Sequence, residues 1–96
     1  MKKTLSNNII KVLQAHRNEI KSLGVKRIGL FGSAVRGSKN IGDLDFLVTF
    51  NKPTFDNYMD LKFFLEGLFN KKIDLVTENS LKPALQYVKK EAVYAE

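Results

Sequence analysis

The chain has 96 residues, 44% of them apolar, with seven Phe, no Cys and a formal charge of +6. That length predicts one domain over residues 1–96, with one two-layer core and no second domain for a large substrate. The absence of cysteine excludes disulfides and Cys-based zinc sites, and no apolar run approaches the roughly 20 residues that span a bilayer.

At the N-terminus, Met1-Lys2-Lys3-Thr4-Leu5 leads into Ser6-Asn7-Asn8 and Lys11 with no continuous apolar region, so a secretion signal is not expected and the expected location is cytoplasmic. From about Thr4 to Ser22 the pattern is helical, with Ile9, Ile10, Val12, Leu13, Ile20 and Leu23 on one face and Gly24 placed to end the helix. His16, on the polar side, is expected to be a surface histidine. Val25–Phe31 is a predicted strand with Gly29 as a flat spot inside it. Gly32–Gly42 is a glycine-containing loop with room for one helical turn after Ser33. Asp43–Phe50 is the clearest strand: Leu44, Phe46, Val48 and Phe50 share one face, Asp43, Asp45, Leu47 and Thr49 the other.

Pro53 precedes a predicted amphipathic helix, Phe55–Phe69, whose inner face carries Tyr58, Leu61, Phe64, Leu65 and Leu68 as core. Lys72–Val76 is a third strand. Ser80 is a predicted N-cap, with Pro83 in the first turn of a last helix reaching about Glu91. The order helix, strand, loop, strand, helix, strand, helix predicts an α/β fold, a small mixed sheet covered by helices. The lysines are scattered, densest at Lys71-Lys72 and Lys89-Lys90, which fits a solvated basic surface. No stacking aromatics alternate with basic residues, so direct nucleic-acid binding is not expected.

Three features could carry chemistry. Asp43 and Asp45 are two residues apart in a strand, so their side chains project on one side with Cα atoms about 6.5–7 Å apart. Paired carboxylates of this kind suit hard cations, which prefer oxygen ligands; a solvated strand edge is the alternative. Gly32 allows close backbone approach, Ser33 adds a hydroxyl and an N–H, and Arg36 could neutralise phosphate or clamp the loop, although Gly-Ser is also common in ordinary tight turns. Asp74 stands mid-strand between Ile73 and Leu75, where a buried sheet would carry an apolar residue. In a mixed sheet its neighbour could be the Asp43–Asp45 strand; otherwise it is an edge charge that discourages aggregation. The run Gly32–Lys39 nearly spells a P-loop, but Ser38 and Lys39 are transposed and their tasks on phosphate and magnesium are separate.

Together, Gly32-Ser33, Arg36-Gly37, Asp43-x-Asp45, Asp74 and the tail Asp74–Pro83 with Glu91–Tyr94 resemble the minimal nucleotidyltransferases (MNT) of the polymerase-beta superfamily. The resemblance runs from Val25 to Tyr94. It implies that Asp43, Asp45 and Asp74 hold magnesium, two ions in all. It further implies that Gly32, Ser33 and Arg36 serve the nucleotide, and that Asp74 draws the proton from an incoming hydroxyl. The implied reaction moves AMP from ATP to that hydroxyl. The implied partner is a helical HEPN-type toxin that the MNT member, as antitoxin, modifies on a tyrosine within a hetero-oligomer. The chain departs from the family pattern at Gly42, where a serine usually precedes the first aspartate, and in a Gly37–Asp43 stretch one residue short. The alternative is a weakly catalytic or non-catalytic antitoxin that acts by complex formation.

Overall fold

A computed structural model of the chain describes residues 4–36, 42–78 and 87–95. The expected first helix forms as two pieces, α1 (Thr4–Ala15) and α2 (Arg17–Ser22), separated at His16. Strand β1 (Val25–Phe31), the single-turn α3 (Ser33–Arg36), β2 (Asp43–Phe50), α4 (Phe55–Phe69) and β3 (Lys72–Thr77) follow, then α5 (Tyr87–Glu91) and β4 (Val93–Tyr94). The predicted helices and strands up to Thr77 are therefore present at nearly the expected boundaries. Ser80 and Pro83, the predicted start of the last helix, lie outside the described residues. The two-residue β4 was not predicted, because so short an edge has no alternation to detect.

The four strands form one mixed sheet in the order β3-β2-β1-β4. β1 runs antiparallel to both β2 and β4, whereas β3 lies parallel to β2. The parallel pair follows from the connection: α4 fills the return path from β2 to β3, as a crossover requires.

Alternation sends Leu44, Phe46 and Val48 of β2, Ile28 and Leu30 of β1, and Ile73 and Leu75 of β3 into one core. Ile9 and Leu13 of α1, Ile20 of α2, and Leu61 and Leu65 of α4 pack against them. Phe46, Leu61 and Leu65 are completely buried, and Phe46 stacks on Phe69 at 5.9 Å between centroids. α1, α2 and α4 thus lie on one face of the sheet, and the residues of opposite alternation in β2, among them the fully buried Leu47, face away from them.

Local chemistry explains the helix ends. Leu23 and Gly24 donate to the last carbonyls of α2, and Gly24 takes the left-handed φ of +80° that a side chain would resist. Thr54 caps α4, its Oγ1 accepting from the Asn57 N–H at 3.1 Å, and left-handed Asn70 closes the other end. Tyr58 joins α4 to the sheet by donating its hydroxyl to the Leu75 carbonyl at 3.0 Å. His16 corrects the expectation of a surface residue. It is half-buried, its ring edge-on to Phe64 with centroids 6.0 Å apart and its Nδ1 2.9 Å from the Val12 carbonyl. The break in the helix turns the imidazole inward.

Candidate active site

Strand β2 begins with Asp43 and places Asp45 two residues on, on the face opposite the one that α1, α2 and α4 cover. The parallel register sets Asp45 directly against Asp74 of β3 and Asp43 against Lys72. Neighbouring strands are about 4.8 Å apart, so two carboxylates at one register position repel. Asp43 and Asp74 are exposed and Asp45 is half-buried, all at the end of the sheet where β2 and β3 begin. Of the two readings of Asp74, the register shows its adjacency to the Asp43–Asp45 strand, and β3 is at the same time an edge of the sheet.

The glycine loop meets the same place. Phe31 ends β1 opposite Asp45, so the chain turns at Gly32 beside that carboxylate. Gly32 has φ of +82°, and a Cβ added there would run into the Asp45 carboxylate and lie 3.3 Å from its Cβ. Only glycine lets the backbone come this near. The turn leads into α3, with the Val35 N–H bonded to the Gly32 carbonyl at 3.0 Å. Ser33 and Arg36 are thus in the helical turn that follows the glycine, as foreseen. Gly37 and the rest of the stretch to residue 41 lie outside the described residues, whereas Gly42 is described and exposed.

Carboxylate oxygens are the donors that magnesium or manganese would use. The register gathers three of them at one end of one sheet face, next to a glycine cradle, so the donor chemistry fits. As the side chains stand, no three acidic or histidine residues among the described residues converge enough to grip a metal ion. Gathering them needs side-chain rotation at Asp43 and Asp74, and both are exposed. Lys72 was missed by sequence reasoning. It stands two residues before Asp74, on the same side of β3, and the register alone sets it against Asp43.

The far part of this face is closed by the tail. The Tyr94 ring lies on Gly29, where an added Cβ would be 2.8 Å from its Cδ1. The Arg27 guanidinium stacks 3.7 Å from the ring centroid, and the hydroxyl donates a long hydrogen bond of 3.5 Å to Glu78 Oε1. Burial, then the negative charge of Glu78, push the phenol above its ordinary value of 10.0; Arg27 opposes them and the hydrogen bond to Glu78 adds to the rise. The flat spot in the predicted strand is thus the seat of an aromatic ring.

Comparison with known proteins agrees with this layout. Residues 13–95 match the model of the nucleotidyltransferase domain family. The protein adenylyltransferase MntA of Thermococcus cleftensis is 40% identical over 87 residues, which cover 86% of this chain and 88% of that protein. A solved structure described as a minimal nucleotidyltransferase is 36% identical, with a TM-score of 0.68 over 88% of this chain and 93% of that one. A toxin–antitoxin crystal structure with AMP-PNP is similar at 27% identity and a TM-score of 0.67, covering 94% of this chain and 71% of that one. The complex of a tri-AMPylated Shewanella oneidensis HEPN toxin with an MNT antitoxin is similar at 26% identity and a TM-score of 0.61, over 100% and 72% of the two chains. With the fold, the glycine turn beside Asp45 and a family match over most of its length, the chain belongs to the nucleotidyltransferase domain family.

Proposed function

We propose that this nucleotidyltransferase moves AMP from ATP to a hydroxyl, on a HEPN-type toxin partner for which it serves as antitoxin. The observation that carries the reading is the register pair Asp45–Asp74 with Asp43 beside it. Clustered negative charge on one sheet face costs stability, and a pure binding module has no physical need for it. The names of the similar proteins support the substrate class: an adenylyltransferase, a toxin–antitoxin with AMP-PNP, and an AMPylated HEPN toxin.

In this reading Asp43, Asp45 and Asp74 hold divalent magnesium, which supplies charge neutralisation to the triphosphate when bound. The Gly32 and Ser33 backbone approaches the phosphates, and Arg36 steadies the loop or meets a phosphate oxygen. Asp74 takes the proton from the acceptor hydroxyl. The acceptor's hydroxyl oxygen bonds to the α-phosphorus, the bond from that phosphorus to the bridging oxygen breaks, and pyrophosphate leaves with the electron pair. The products are AMP joined to the acceptor, pyrophosphate and a protonated Asp74.

The test is transfer of label from α-labelled ATP to the partner, with magnesium present. Asp43→Ala and Asp45→Ala are each expected to lower labelling by about 100-fold or more while the complex still forms. Unchanged labelling would sink the catalytic assignment. Binding alone is the second reading, resting on Gly42 and on a Gly37–Asp43 stretch one residue short of the family pattern. It requires that the same variants still neutralise the toxin in a growth assay.

A further inference from the structure

A groove of about 340 Å³ lies away from the carboxylates. It opens where α1 and α2 meet the start of β1, the end at which Val25 pairs with Phe50. Leu13, Ile20 and Ile28 line its apolar floor, and Arg17, Lys21 and Lys26 its rim. No carboxylate lines it among the described residues. Beside the groove the outer edge of β1 is only partly used. β4 pairs with Gly29 and Leu30, and the Ala95 N–H adds a bond of 3.0 Å to the Ile28 carbonyl. Beyond that point, among the described residues, no strand pairs with Val25–Arg27 on the side away from β2. A backbone edge, an apolar pocket and a cationic rim therefore meet at one place.

We propose that this groove is a docking surface for an extended acidic segment of a protein partner, added as a short strand beside Val25–Arg27 with an apolar side chain in the pocket. Each part of the surface selects for one property of the occupant. The unpaired strand edge calls for alternating backbone donors and acceptors, which a peptide has and a lipid chain lacks. The apolar floor takes one large aliphatic side chain, and the side chains two residues away, on the same face of the added strand, reach the rim. The rim of like charge favours carboxylates there and raises the rate of encounter with an acidic segment. The groove lies on the helix side of the sheet and at the opposite end of β2 from Asp43, so an occupant leaves the carboxylate face open. Docking here does not depend on the transfer reaction.

The probe is a short fluorescent peptide with one leucine and a glutamate two residues away on either side of it, on the same strand face, titrated with the intact protein and followed by anisotropy. Binding is expected, weakening as salt rises. It should be lost when alternate peptide amides are N-methylated, because the strand bonds go, and when serine replaces leucine. Arg17→Glu combined with Lys21→Glu, both exposed positions, is expected to weaken the unmodified peptide by about tenfold. The proposal is overturned if no peptide binds, if the N-methylated or serine peptide binds as well as the parent, or if the double variant binds unchanged. It is overturned equally if polyuridine or phosphatidylglycerol vesicles bind at this rim and displace the peptide without loss on N-methylation.

Discussion

Gly32 illustrates how one residue can hold backbone and site together. Its φ of +82° and the Asp45 carboxylate against its missing side chain make two separate demands for glycine. Gly32→Ala is expected to lower stability by about 1–3 kcal/mol, measured by urea denaturation, and to reduce transfer by moving Asp45. Gly42 gives the opposite case. Among the described residues a Cβ there meets nothing within 4 Å, and the residue has no left-handed φ, so Gly42→Ser should change stability by less than about 0.5 kcal/mol. This variant supplies the serine that the family resemblance implies before the first aspartate. Transfer is expected to rise; an unchanged rate would show that the hydroxyl takes no part. Both glycines were legible as loop residues, but only the three-dimensional neighbourhood separates the one that must be glycine from the one that need not.

At the scale of elements, the shortest strand has the most particular fastening. β4 has only two residues, and its hold on the sheet depends on the Tyr94 ring lying over Gly29 beneath Arg27, with Glu78 at the hydroxyl. The phenol is held above its ordinary value, first by burial and then by Glu78. A raised value means that the neutral form is favoured in the folded state. Its contribution to stability is therefore complete below pH 10.0 and lost as pH rises through the higher folded value. Thermal unfolding followed across the alkaline range should show a smaller loss of stability in Tyr94→Phe than in the parent protein. An identical alkaline profile would remove Tyr94 from the account. The helices carry simpler fastenings: Thr54 and Asn70 at the ends of α4 are the residue types that capping requires. The break at His16 was not foreseen, since polar residues mid-helix rarely announce whether their ring turns out or in.

For the whole molecule, the sheet divides labour between its faces. One face is buried under α1, α2 and α4, and the other presents Asp43, Asp45 and Asp74. Substitutions on the two faces should therefore part in sign. Leu61→Ala, at a fully buried position, is expected to cost about 2–5 kcal/mol in chemical denaturation. Asp74→Asn, measured with chelator present, should stabilise by up to about 1 kcal/mol because it relieves the repulsion with Asp45, while transfer falls by about 100-fold or more. A stability loss in Asp74→Asn would argue that the pair is structural. Charge scattered over the chain does not report this division, but it does gather at the groove rim, where Arg17 and Lys21 of α2 meet Lys26 of β1. Alternation in Asp43–Phe50 and the helical period of Phe55–Phe69 determined by themselves which side chains face the core, because the geometry involved spans only a few neighbouring residues. The common side of Asp43 and Asp45 was settled in the same local way. The tertiary structure alone decided that Asp74 stands against Asp45, that Lys72 faces Asp43, that Tyr94 returns over Gly29, and that an apolar groove opens beside β1. Each of these depends on the pairing of segments distant in the chain, and pairing is selected by packing of the whole core, which no local spacing encodes.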